Sequence, residues 1–140
     1  MTEALLDTDI YSEVSRVRNP TVSKNAKAYL LAHGRFTISA MTVFEVVGGF
    51  QRAQRTKLLR EFLDNVSSLN VLQIETEDTI LAGRIHGDLG RRGLPIGHAD
   101  PIIAASAIRR GLTVVTGNQA HFARIQDAGY PLLLTNWREG

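Results

Sequence analysis

Residues 101–108, Pro-Ile-Ile-Ala-Ala-Ser-Ala-Ile, constrain the chain more than any other stretch. From Ile102 to Ile108 only Ser106 is polar, so no solvent face can be drawn and the run reads as a helix buried on most sides. Such a helix sits in a core. Just ahead of it lies Pro95-Ile96-Gly97-His98-Ala99-Asp100. Asp100-Pro101 is a helix-start pair, because an N-cap carboxylate accepts backbone N–H bonds and Pro tolerates the first helical position. Asp100 is therefore either an ordinary N-cap or a carboxylate fixed at the rim of the core, where it could share a metal ion with others.

With 140 residues, 44% of them hydrophobic, the chain is expected to form a single domain over 1–140 with a real core. Cysteine is absent, which excludes a disulfide framework, a thiolate zinc site and a cysteine nucleophile. The N-terminus carries Glu3, Asp7 and Asp9 and lacks a basic region followed by a long apolar run, unlike a signal peptide. No apolar run approaches the ~20 residues needed to span a bilayer. A soluble, cytoplasmic protein without a membrane partner is the expectation. Sixteen Lys and Arg against fourteen Asp and Glu give a net charge of only +2. If several of the acids gather in one pocket, the remaining surface becomes distinctly basic, as polyanion binding requires.

Short apolar runs alternate with helical periodicity along the chain. Leu5-Leu6 reads as a buried strand ending on Asp7, with Thr8 or Asp9 placed to cap a helix that turns Ile10, Val14 and Val17 inward. A second helix over Thr21–His33 carries Ala26, Tyr29 and Leu30 inward and closes at Gly34. Phe36–Ser39 alternates like a strand. Thr42-x-x-Glu45 has the spacing of a capping box, in which Glu45 reaches back to the N–H of the cap residue. Gly48-Gly49 costs that helix roughly 1 kcal/mol per Gly relative to Ala, which suggests close packing or a break. Leu58, Leu59, Phe62, Leu63 and Val66 mark an amphipathic helix. Val71–Ile74 is a third strand, Thr76 starts a helix with Leu81, Ile85 and Leu89 inward, and Leu112–Val115 is a fourth strand. A short helix with Phe122 and Ile125 leads to Leu132–Leu134. Strands alternating with helices point to an α/β sandwich around a mostly parallel sheet.

In such a sheet, ligands bind outside the carboxyl ends of the strands. Asp7 ends the first strand, Glu45 lies just past the second, Asp100 heads the core helix and Asn118 lies just past the fourth. Carboxylates gathered there repel one another unless a cation neutralises them, and hard oxygen donors without Cys suit Mg²⁺ or Mn²⁺. Such ions activate water for in-line attack on phosphorus, so phosphodiester hydrolysis is the matching reaction class.

Leu5-Leu6-Asp7-Thr8-Asp9, Thr42-x-x-Glu45, Pro95-Ile96-Gly97-x-x-Asp100-x-x-Ile103-Ala104-Ala105 and Thr116-x-Asn118-x-x-His121-Phe122 resemble, in order, the PIN domain, and specifically the VapC toxins of bacterial toxin–antitoxin systems. The resemblance implies an α/β/α sandwich with a central, mostly parallel sheet of four to five strands. It also implies a Mg²⁺- or Mn²⁺-dependent endoribonuclease acting on structured RNA such as tRNA or ribosomal RNA. A homodimer, held inactive in a higher assembly with a VapB-type antitoxin, is implied as well. Carried over position by position, Asp7, Glu45 and Asp100 match the family's acidic metal ligands, with Thr116 and Asn118 in support. Asn118 stands at the family's fourth acidic position and His121 where an Asp often precedes the Phe, so both departures remove negative charge.

Other residues have plainer readings. Asp9 suits a helix cap or a supporting bond more than direct coordination. His121 reads as a polar residue on an exposed turn, His33 as a helix end, and His98 as a neighbour of Asp100 that could face the site. Arg52, Arg55, Lys57 and Arg60 read as a solvated face, with RNA contact as the alternative. The surface around Tyr11, Val14, Leu58 and Phe62 is the expected antitoxin contact. A phosphoacceptor receiver domain also gathers acids at strand ends, but it needs a Lys after a late strand, and the three lysines here are Lys24, Lys27 and Lys57. An inactive PIN-like module that binds RNA or protein is the remaining alternative.

Overall fold

The computed structural model describes residues 1–139, and these form helices and strands in alternation. In chain order the elements are β1 (Ala4–Leu6), α1 (Thr8–Arg16), α2 (Pro20–His33), β2 (Thr37–Ser39), α3 (Ala40–Arg52), α4 (Thr56–Asn65), β3 (Asn70–Leu72), α5 (Thr76–Arg91), α6 (Ala99–Arg110), β4 (Thr113–Val115), α7 (Gln119–Asp127) and β5 (Leu133–Thr135). All strand pairs are parallel, in the order β1-β4-β5 and, separately, β2-β3. β2 lies against β1, so the two ladders stand side by side. The expected parallel sheet is present, with the five strands found among the described residues divided between two ladders.

Alternation along these short strands builds the layers, because successive side chains of a strand point to opposite faces. Leu5 and Val114 face one cluster, made with Ile85 and Leu89 of α5, Ile103, Ala104 and Ala107 of α6 and Phe122 and Ile125 of α7. Ala4, Leu6 and Val115 face the other, with Ile10 of α1, Val22, Ala26 and Tyr29 of α2, Ile38 and Trp137. Helices therefore cover both faces. The apolar run in α6 behaves as its composition demands: Ile103, Ala104, Ala105 and Ala107 have no exposed surface, and Ser106 is buried with them.

Several local expectations are corrected. Asp7 itself is the N-cap of α1, its side chain accepting from the Thr8 N–H, while Asp9 Oδ1 accepts from the Ile10 N–H inside the first turn and Thr8 does not cap. Val17 is 70% exposed because it ends α1 in the left-handed region, at φ 53°, and turns out of the face set by Ile10. In α2 the inward residues are Val22, Ala26 and Tyr29, and Leu30 is exposed. α3 begins at Ala40, capped by Ser39, whose hydroxyl accepts from the Met41 N–H at 3.0 Å. Thr42 is thus inside the helix, and the Thr42/Glu45 capping box does not form. Gly48 and Gly49 neither break α3 nor pack closely, since a Cβ on either would meet nothing within 4 Å. α6 begins at Ala99 with His98 at its cap, which places Asp100 in the first turn and Pro101 two positions later than expected.

An ion-pair network that sequence patterning did not reveal joins α5 to α6. Asp78 is fully buried and accepts from Arg109 at 2.6 Å, Arg110 at 2.9 Å and the Glu75 N–H at 2.9 Å. Burial raises the carboxyl pKa, but the bonds from Arg110, the Glu75 backbone and Arg109 outweigh that and hold it at about 2.

Candidate acidic active site

With Ser39 and His98 at the caps of α3 and α6, Glu45 and Asp100 are free of capping duty, whereas Asp7 caps α1. β1 delivers Asp7 to the carboxyl end of the sheet, 6% exposed. Its Oδ1 accepts from the Thr8 N–H at 2.8 Å and its Oδ2 from the Thr116 hydroxyl at 2.9 Å. Thr116 follows the adjacent strand β4, is wholly buried, and accepts in turn from the Asn118 N–H at 2.9 Å. This relay fixes the Asp7 carboxylate at both oxygens.

Glu45 arrives from α3, freed from the capping role that its spacing suggested. Its Oε1 accepts from the Thr8 hydroxyl at 2.7 Å. Thr8 Oγ1 also stands 3.0 Å from Thr42 Oγ1. A hydroxyl has one proton to give, so Thr42 donates to Thr8 and Thr8 donates to Glu45. Thr8 thereby touches Asp7 through its N–H and Glu45 through its side chain.

Asp100, in the first turn of α6, has no capping bond and meets His121 Nδ1 of α7 at 3.3 Å through its Oδ2. His121 therefore faces the site, contrary to its plain reading as a solvent-facing turn residue. Asp9 is also drawn in, its Oδ2 accepting from the Gly117 N–H at 3.2 Å. Asn118 caps α7 by position only; it is exposed and makes no side-chain capping bond. His98 turns elsewhere and stacks on His86 with ring centroids 5.0 Å apart. His33 ends α2 as expected, bonding the Met1 carbonyl.

The electrostatics are those of acids crowded together. Burial, then the charge of Asp9, lifts Asp7 from 3.8 to about 7, with a smaller contribution from Asp100, against the lowering bonds from Thr116 and Thr8. Burial also raises Asp100, partly offset by the hydrogen bond and charge of His121, and Asp9 raises it further. A pocket that resists its own ionisation favours a bound cation, and its all-carboxylate donor set matches a hard divalent ion. Among the described residues no three Asp, Glu or His side chains are disposed to close on one ion as they stand. The fit therefore lies in donor chemistry and charge.

Sequence reasoning missed Thr8, Glu13 and Arg138. The Arg138 guanidinium bonds Glu13, with Nε at 2.6 Å from Oε1, and lies 3.6 Å from Asp9 Oδ2. A cavity of about 510 Å³, lined by Met1, Asn25, Tyr29, Thr135 and Trp137 among others, includes none of the site acids. The acids lie apart from it, at the carboxyl end of the sheet, where α/β folds bind ligands.

The PIN domain family matches residues 4–128. The tRNA(fMet)-specific endonuclease VapC of Shigella flexneri is 30% identical over 126 residues, 89% of this chain and 93% of that one. The protein of the same description from Salmonella typhimurium is 36% identical over 92 residues, 65% of this chain and 70% of that one. Among solved structures, the DNA-bound VapBC from Salmonella typhimurium superposes with a TM-score of 0.79 at 28% identity, covering 98% of this chain and 99% of that chain.

Proposed function

The chain belongs to the PIN domain family, among its VapC proteins, and on that premise we propose that it is a metal-dependent endoribonuclease toxin that hydrolyses phosphodiester bonds in structured RNA and is neutralised by a VapB-type antitoxin. The observation that carries the reading is the joining of Asp7 and Glu45 by the N–H and hydroxyl of Thr8, and of Asp7 to the β4 end by the Thr116 hydroxyl, with Asp100 at the same sheet edge.

An RNA backbone is repelled by a cluster of acids unless a cation lies between them. Asp7, Glu45 and Asp100 would hold Mg²⁺ or Mn²⁺. Such an ion, when bound, supplies Lewis acidity that makes water a better nucleophile and offsets charge on the phosphoryl oxygens. The protein's part is orientation. Thr116 and the Thr8 N–H fix the two oxygens of Asp7, the Thr8 hydroxyl fixes Glu45, and His121 steadies Asp100. Asn118, exposed and uncharged, supplies an amide that can bond water or phosphate without adding repulsion. Arg52, Arg55, Lys57 and Arg60 are exposed and offer cations to neighbouring phosphates.

Relatives of this chain occur in VapBC complexes, which supports a VapB-type partner here. Tyr11 of α1 and Phe62 of α4 pack edge to face at 5.9 Å, and beside them Leu58 and Leu63 stay exposed, an apolar face for the antitoxin. A homodimer, joined into a higher assembly with the antitoxin, completes the reading. No helix among the described residues is long and apolar enough to cross a membrane.

The alternative is a PIN-like module that binds RNA or protein without cutting, favoured by Asn118 at the fourth acidic position. Total RNA is incubated with the purified chain and with Asp100→Asn, with Mg²⁺ or Mn²⁺ and with chelator. Endonucleolytic cleavage by the wild type, lost with chelator and in the variant, is expected. Binding without cleavage establishes the inactive module, and cleavage indifferent to chelator removes the metal.

A further inference from the structure

Arg138 follows β5 and reaches back across the sheet edge to α1. Its Nε and Nη2 both bond Glu13 Oε1, and Nη2 lies 3.6 Å from Asp9 Oδ2. The guanidinium occupies a seat that only glycine leaves open. A Cβ at Gly117 would fall 1.9 Å from Arg138 Nη1 and 2.9 Å from Asp9 Oδ2. Gly117 does not have positive φ, so what its bare Cα provides is room for the guanidinium, which a Cβ would displace, and not backbone freedom. The same Gly117 donates its N–H to Asp9. Three segments distant in sequence thus meet in one charged network: the first turns of α1, the loop from β4 to α7 and the segment after β5. That loop carries Thr116, which holds Asp7, and Asp9 is the acid whose charge is felt by both Asp7 and Asp100.

We propose that Arg138 is a positioning residue. By pairing with Asp9 and Glu13 across Gly117, it keeps the Asp9 carboxylate turned toward the β4–α7 loop and reduces the pocket's negative charge, and so sets how tightly Asp7 and Asp100 retain a divalent cation. This rests on the reading of the acid pocket as a metal site. Loss of the Arg138 guanidinium has two opposed effects. The pocket becomes more negative and holds a metal ion more tightly, while Asp9 and the loop lose their tie and turnover falls. A residue that merely anchored the end of the chain would weaken both or leave metal affinity unchanged.

The test measures Mn²⁺ binding to the full chain without RNA, by electron paramagnetic resonance of the free ion, and kcat and KM for an RNA substrate on the same samples. The variants are Arg138→Gln, Arg138→Lys, Gly117→Ala and Asp100→Asn. Gly117→Ala evicts the guanidinium while leaving the arginine in the chain. Arg138→Gln and Gly117→Ala are expected to bind Mn²⁺ roughly three- to tenfold more tightly, by the loss of one nearby screened charge, with kcat reduced more than KM is changed. Arg138→Lys keeps the charge and is expected to bind Mn²⁺ as the wild type does. Unchanged or weaker binding in both Arg138→Gln and Gly117→Ala, with binding lost in Asp100→Asn, overturns the proposal and leaves the metal site standing. Binding that Asp100→Asn does not reduce overturns the metal reading, and the proposal with it.

Discussion

The Thr116 hydroxyl donates to Asp7 Oδ2 at 2.9 Å in a spot that solvent does not reach, tying together the carboxyl ends of the paired strands β1 and β4. Thr116→Val keeps the shape and removes the donor. Bonds that orient ligands in this way typically contribute 10–100-fold in metal affinity or activity, so a loss of about that size in RNA cleavage is expected. Steady-state kinetics beside a thermal melt checks it. A variant with wild-type turnover would deny Thr116 an orienting role.

Asp7 also gives the metal-free protein a definite pH dependence. Its folded pKa is raised from 3.8 to about 7, so the neutral form is favoured by folding. The stability it contributes is fully present below the unfolded value and is lost as pH rises through about 7. In chelator at pH 8, Asp7→Asn should therefore be more stable than the wild type, by up to about 4 kcal/mol. The difference should vanish near pH 4. Urea unfolding at the two pH values decides the matter, and an Asp7→Asn protein that is less stable at pH 8 would refute the charge crowding.

Asp78 has the opposite sign. Its folded pKa is depressed to about 2 by Arg110, the Glu75 N–H and Arg109 despite full burial. Its contribution is present above the unfolded value of 3.8 and disappears as pH falls toward 2, amounting to about 2 kcal/mol. Asp78→Asn leaves both arginines without their buried partner and should cost about 3–5 kcal/mol at pH 7. Acid titration of the folded fraction by circular dichroism should show a flatter profile for the variant between pH 4 and 2.

The start of α3 is tested separately. Ser39→Ala removes the observed cap of the Met41 N–H and should cost about 0.5–2 kcal/mol. Glu45→Gln removes no cap, so it should leave urea stability nearly unchanged while depressing cleavage. A stability loss in Glu45→Gln equal to that in Ser39→Ala would restore the capping box.

Much of the layout was readable because it follows from periodicity. The unbroken apolar run at Ile102–Ile108 marks a core helix, and strands ending at Asp7 and before Thr116 mark one edge of a parallel sheet. The helix starts were harder, since Thr-x-x-Glu and Asp-Pro satisfy capping chemistry without requiring it. Here Ser39 and His98 take the boundaries, and the displaced Glu45 and Asp100 are free to serve the site. Arg138 and Glu13 lie 125 residues apart, and no local pattern announces a pairing over that separation. Asp78 was hidden for the same reason, its partners Arg109 and Arg110 lying a full helix away. His121 looked solvent-facing because only the tertiary placement of α7, against α5 and β5, brings it to Asp100.

The central claim is that Asp7, Glu45 and Asp100 hold the ion on which RNA cleavage depends. The most direct measurement is a crystal structure of the full chain grown with Mn²⁺, with anomalous scattering used to locate the metal. The account predicts an anomalous peak within coordination distance of Asp7 and Asp100, with Glu45 turned toward it from Thr8 and the peak abolished by Asp100→Asn. Mn²⁺ found elsewhere, or absent at this edge in crystals of protein that cleaves RNA with Mn²⁺, would contradict it.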